Sequence, residues 1–233
     1  MLNSLPDPAA GSDVGPWLLL QLADSAFPAG GLAHAGGLEA ARSFGQAKGR
    51  EGLASWIGRS LDAAGELALP LCAASWDDPG RWGELDLLAD ALITGQVANR
   101  ASRSQGQGFL AAAAGAFGDE RIRLMRIAAL HERRPAHFAP AFGTIGQHLG
   151  LAREAVLQLQ VHNLLRSLIS AAVRLNAVGP LEGQALHRSL AARAEAAVRR
   201  GAVLPVEDAA SVDPILDIVQ GNQDRLYSRL FTS

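Results

Sequence analysis

Hydrophobic positions along this chain recur at three- and four-residue steps, and no segment alternates in the two-residue manner of a strand. Between Glu51 and about Leu67, Leu53, Trp56, Ile57 and Leu61 keep helical spacing. A longer run, Leu151–Asn176, carries Leu157, Val161, Leu164, Leu168, Ala172 and Leu175 as one apolar stripe. Gln160, Asn163, Ser167, Ser170 and Arg174 fall opposite much of that stripe, which places them on an outward face open to solvent or to another protein. Helices are also expected over Trp17–Ala23, Ala33–Phe44, Val97–Phe117, Asp119–Glu132, Phe138–Leu149 and Leu181–Arg200. Asp77-Asp78-Pro79-Gly80 reads as a break, followed by a helix burying Leu85, Leu87, Leu88, Leu92 and Ile93. Asp213-Pro214 starts a short final helix, with proline at a tolerated first-turn position. The pattern predicts an all-α chain with one compact domain of about ten helices over residues 17–222. A loose arm, rich in Pro and Gly, precedes it over residues 1–16, and a flexible tail follows over 223–233.

Composition agrees with the pattern. Hydrophobic residues make up 48% of the chain and aromatics 5%, and Ala and Leu, which lose little freedom in a helix, dominate. A formal net charge of −2 supplies no field for nucleic acid or an anionic membrane. The apolar stretch Val156–Val173 is interrupted by Gln158, Gln160, His162, Asn163 and Arg166 and cannot span a bilayer. No Lys or Arg precedes Arg42, so no charged targeting start is seen and the cytoplasm is the expected compartment.

Sites for chemistry are few. Lys48, the single lysine, lies between Ala47 and Gly49 and cannot complete a phosphate-binding loop. Gly106-Gln-Gly108 outlines a dinucleotide fingerprint, but polar residues from Arg100 to Gln105 precede it where a strand is required. No Gly-x-Ser-x-Gly elbow occurs, and Asp77-Asp78 and Glu207-Asp208 suit helix starts better than catalysis. Cys72 stands alone in an apolar run and reads as a buried, inert thiol. Of the six histidines (His34, His131, His137, His148, His162 and His187), no two lie three or four apart as paired ligands on one helical turn would. These readings leave a protein without an enzyme's equipment, with no cofactor bound directly.

The segment Gln21 to Glu39 is too rich in glycine for packing alone and suggests a sharply turned corner, offered to a neighbouring helix or to a partner. From Leu20 to Glu39 the chain carries Leu20-Gln21-Leu22, Phe27-Pro28, Gly30-Gly31 and Gly37-Leu38-Glu39, with His34 and Ala35 between. Further on come Ser104-Gln105-Gly106, then Ala171-Ala172-Val173-Arg174-Leu175-Asn176 with Gly179 and Pro180 after it. The chain ends with Tyr227-Ser228-Arg229-Leu230-Phe231-Thr232-Ser233. In content and order these stretches resemble the UreF family of urease accessory proteins. Thr232 departs from it, standing where that family carries an arginine.

The resemblance implies an all-α, non-catalytic protein that dimerises and binds a UreD-type accessory protein, also called UreH. That pair recruits a UreG-type GTPase, and the complex handles nickel and GTP to load apo-urease. It also implies partner contacts at Pro28, Gly30, Gly31, His34, Gly37, Glu39, Gln105, Gly106, Arg174, Asn176, Tyr227, Ser228, Arg229, Leu230 and Phe231. Leu226, Tyr227, Leu230 and Phe231 suggest an amphipathic tail, mobile until such a partner orders it. Two rival readings remain. One is a direct nickel carrier using scattered histidines; the other is a helical enzyme with a deep pocket for a small apolar ligand.

Overall fold

The computed structural model describes residues 15–28 and 34–233, and among these it is all-helical, without a strand. In chain order the helices are α1 (Gly15–Ala23), α2 (Leu38–Ser43), α3 (Gly49–Glu66), α4 (Ala68–Asp77), α5 (Trp82–Leu92) and α6 (Gln96–Ala116). They continue as α7 (Glu120–His131), α8 (Phe138–His148), α9 (Arg153–Arg174), α10 (Pro180–Ser189), α11 (Ala191–Val203) and α12 (Pro214–Gly221). Aspartate caps open α7 and α12, and proline stands in the first turn of α10 and α12. Asp119 accepts from the amides of Arg121 (2.8 Å) and Ile122 (3.3 Å), and Asp213 does the same for Ile215 and Leu216 ahead of α12.

The core of the bundle differs from the pattern read off the sequence at three places. Ala68 to Ala74, left without an element, lies in α4; Pro70 stands in its first turn, where the missing N–H has no intrahelical partner to lose. The helix expected over Leu181–Arg200 is two helices broken at Leu190, where the Ser189 hydroxyl takes the Leu186 carbonyl at 2.8 Å. Leu87 faces solvent, and Asp86 occupies the buried position beside it.

α8 sits at the centre, with Ala139 to Gly146 buried without interruption, and packs on α4, α6 and α9. Its small residues make this possible. A Cβ at Gly143 would lie 2.1 Å from the Cys72 carbonyl oxygen of α4. A Cβ at Gly106 of α6 would lie 2.0 Å from the Ala136 carbonyl oxygen, just before α8. Backbone therefore meets backbone on two sides of α8, closer than any side chain allows. Around these crossings lies one continuous hydrophobic core, with Trp56, Ile57 and Leu61 of α3 and Val156, Leu157 and Leu168 of α9 fully enclosed. Phe27, Phe109, Phe117, Phe138 and Phe142 form an aromatic cluster with neighbouring ring centroids 5.0–5.8 Å apart. Cys72 lies inside, and burial pushes its thiol far above the ordinary range, so it is inert as expected.

Gly143→Ala should lower unfolding free energy by about 1–3 kcal/mol through overpacking against a carbonyl that cannot rotate away. Gly115→Ala, where an added Cβ meets nothing within 4 Å, should be neutral or slightly stabilising. Urea unfolding of both variants checks the contrast; equal stabilities would show that α8 can shift to make room.

Candidate functional site

The glycine corner and the C-terminal segment, almost the whole chain apart in sequence, meet at one place. Gly36 and Gly37 both take left-handed backbone (φ +54° and +74°), which turns the chain into α2. A Cβ on Gly37 would fall 2.9 Å from Cβ of Gln220 in α12, so its bareness serves conformation and packing together. The expected helix from Ala33 to Phe44 accordingly shortens to α2, and Ala33 lies outside the described residues together with Gly30 and Gly31.

Immediately after this turn, the Glu39 carboxylate grips the C-terminal segment. It accepts from the amides of Leu230 (2.7 Å) and Phe231 (3.1 Å) and from the side-chain amide of Gln223 (2.9 Å). Gln223, fully buried, also accepts from the Ala40 amide and donates to the Phe231 carbonyl at 3.2 Å. A carboxylate taking several N–H donors makes stronger bonds than a neutral acceptor would. Beyond it, the Ala35 amide donates to the Ser233 backbone oxygen at 2.6 Å, and His34 Nδ1 lies 2.7 Å from the Ser233 hydroxyl. Thr232 Oγ1 is 3.3 Å from the same nitrogen. The Arg174 guanidinium, at the end of α9, sits 4.4 Å from the Phe231 ring centre. Asp224 joins Arg100 of α6, at 2.9 Å, and Arg229.

The segment 223–233 is therefore part of the folded unit, where the sequence suggested a loose amphipathic tail. No helix forms beyond Arg225, and the apolar residues divide: Phe231 is buried and Leu226 packs on the core, while Tyr227 and Leu230 face outward. Thirteen of the fifteen expected contact residues lie in the described chain, and they fall into groups. His34, Gly37, Glu39, Arg174 and Leu230–Phe231 converge at the clamp; Tyr227, Ser228 and Arg229 form the exposed bend beside it. Asn176 takes a left-handed φ of 51° as α9 ends, and its role there is to stop the helix. Arg42 donates to the neighbouring Leu175 carbonyl at 3.1 Å.

Gln105 and Gly106 belong to the second locus, the α6–α8 crossing. Sequence reasoning missed its polar centre. Asp86, fully buried, accepts from the amides of Ala136 (2.9 Å) and His137 (2.6 Å) and holds Ala136 at a left-handed φ of 54°. Burial pushes the Asp86 carboxyl up, and these two bonds oppose that shift. His137 lies between Asp90 Oδ1 and Ser102 Oγ, at 3.0 Å from each. Asn99 and His137 hold Asp90 below the usual carboxylate range, so it is an acceptor and the imidazole donates to it. The Ser102 hydroxyl also receives the Phe138 amide, so this chain of bonds ties α5, α6 and the start of α8. Only the unusual left-handed alanine it supports distinguishes it, and no local pattern announces that.

Between the two loci lies a cavity of about 1070 Å³, bordered by Pro28, His34, Gln105, Phe109 and Ser233. Gln160, Asn163, Ser167 and Ser170 line it too. They do not form a solvated face as their spacing suggested. Gln160 is buried with its Oε1 unpartnered, because the other side of α9 is also inside the protein. The deep pocket required by the enzyme reading thus exists, although its histidines, His34 and His137, are engaged in structural bonds.

Comparison with known proteins places these features in a family. Residues 47–191 match the family model described as UreF. "Urease accessory protein F" of Oryza sativa subsp. indica is 36% identical over 219 residues, covering 92% of this chain and 84% of that protein. The Arabidopsis thaliana protein of the same name is 34% identical, covering 93% and 92%. "Urease accessory protein UreF" of Granulibacter bethesdensis is 29% identical over the full length of both. The chain belongs to the UreF family. Membership assigns it to the accessory proteins of urease maturation and accords with a non-catalytic role. The matched residues 47–191 span the central crossings but include neither side of the clamp, which the full-length match to the Granulibacter protein covers. No helix among the described residues is long and apolar enough to cross a membrane.

Acid should loosen the clamp in two stages. His34 is held below its ordinary value, first by burial and then by the Arg100 cation, so it binds protons more weakly folded than unfolded. Its contribution is complete above about pH 6.5 and is lost as pH falls from there. Asp224 is lowered chiefly by its bond to Arg100, so its contribution persists to about pH 4 and is lost below. Amide NMR signals of residues 226–233 should report both steps, with the first absent in His34→Gln. Separately, Glu39→Ala should cost on the order of 1–3 kcal/mol and speed tryptic cleavage at Arg225 and Arg229. Unchanged cleavage would mean that the segment is held by other contacts.

Proposed function

We propose that this protein is a scaffold of urease maturation that binds a UreD-type partner and, with it, recruits and regulates a UreG-type GTPase so that nickel enters apo-urease. Family membership carries the reading, since the relatives in rice, Arabidopsis and Granulibacter are all named urease accessory proteins. The surface beside the clamp supports it. Tyr227 is fully exposed and Leu230 half exposed on a segment whose backbone Glu39 holds in place, and Ile215 and Ile218 of α12 are exposed as well. Apolar side chains on a fixed backbone bind with less ordering cost than a free tail would. On this reading the protein is cytoplasmic and homodimeric, makes no covalent chemistry of its own and leaves GTP to its partner. Arg174, whose guanidinium lies over Phe231, is the charged contact that couples GTP turnover to nickel delivery.

Reconstitution with purified UreD-type and UreG-type proteins, GTP, nickel and apo-urease tests the proposal. Tyr227→Ala with Leu230→Ala should weaken capture of the UreD-type partner by roughly tenfold or more, as loss of central apolar anchors does, with the melting temperature kept. Arg174→Ala should lose about 0.5–1 kcal/mol of stability from its contact with the ring and reduce activation more than partner binding. Wild-type capture by the double variant removes the bend from the interface. Full activation with normal GTP use by Arg174→Ala removes that residue from coupling.

A further inference from the structure

His162 of α9 and His187 of α10 are 25 residues apart in sequence, yet their ring centroids lie 5.8 Å apart with planes at 70°. The approach follows from Gly183, one turn before His187, where an added Cβ would come within 3.2 Å of Ile169 and Val173 on α9. Both histidines are half-buried. Their bonding sets them apart from the histidines at 34, 137 and 148, whose ring nitrogens lie against Ser233, Asp90 and Gln147. No nitrogen of His162 or His187 is hydrogen-bonded within the described residues.

We propose that His162 and His187 form a two-imidazole site for a divalent first-row transition-metal ion, with nickel as the cargo. A metal about 2.1 Å from one nitrogen of each ring sets the ring centres roughly 5–6.5 Å apart, the range in which this pair stands. Imidazole suits nickel, copper and zinc, whereas magnesium and calcium need oxygen donors.

The surroundings also say what kind of site this is. Among the described residues no group of three or more His, Cys, Asp or Glu side chains could hold a metal. Two imidazoles therefore supply half of a tetrahedral set or a third of an octahedral one, and water or a donor from another protein completes it. Arg166 repels a cation and weakens the site further. Such a site exchanges its ion quickly and suits transfer, whereas a closed cage suits storage. The metal site stands on the two rings; its role in transfer rests on the urease-maturation reading.

Nickel chloride titrated into the purified full-length chain, followed by calorimetry and by imidazole NMR signals, tests the site. One weakly held nickel ion per chain is expected, with copper tighter than nickel and nickel tighter than cobalt. His162→Gln and His187→Gln should each weaken nickel binding by roughly tenfold or more, since each removes half of the protein's ligands. His131→Gln, on an exposed residue outside the pair, should bind as wild type. Melting curves establish that the variants fold. No binding by the wild type, or wild-type affinity in both pair variants, overturns the site. Nickel bound through both rings by a protein that fails to capture UreD-type and UreG-type partners would leave the site standing and overturn its role as cargo carrier.

Discussion

Because Gly143 carries no side chain, the Cys72 carbonyl of α4 can lie against the backbone of α8, and the other helices take their places around that approach. α8 is enclosed along most of its length, so it has no free face on which to absorb an added atom. The turn before it is held in an unfavourable alanine conformation by a buried carboxylate, and the α6 helix passes at Gly106 with equal closeness. Displacing α8 would disturb Asp86, His137 and the aromatic cluster together. That coupling makes the central bundle a rigid base.

On that base the clamp is built from opposite materials. It relies on directional polar contacts: one carboxylate, one buried amide, a few backbone N–H groups and a cation over a ring. Polar hubs of this sort define a unique arrangement but contribute modest net stability, since water offers alternative partners to each group. The protein thus combines a core that resists change with a corner that can be opened by altering a charge. The pair of histidines on α9 and α10 lies elsewhere, on the crossing set by Gly183.

Local spacing exposed the all-helical character, most helix positions and the inward stripe of α9, because each depends on residues within a turn or two of one another. It failed where burial was total. α4 shows no polar face to mark its period, and the polar row of α9 looks outward in sequence because nothing local announces a cavity. Resemblance to a family drew attention to Gly37, Glu39, Gly106, Arg174 and the final residues, but spacing could not join them. Glu39 and Leu230 are 191 positions apart, and no periodicity reaches that far. Asp86 and Gln223, the buried polar residues at the two loci, escaped because each acts on backbone supplied by a distant segment.

The same separation governs the order in which the molecule can be made. A ribosome delivers Glu39 191 positions before Leu230, so the corner waits for its occupant while the intervening chain is made. Until then, Ala35, Ala40 and the Glu39 carboxylate have only water to bond, and Arg174 lacks the ring it covers. The bundle can close around α8 beforehand, because its crossings lie within the first two hundred residues. The corner therefore closes only once Phe231 has been made, and a chain released before that point would present a different surface there.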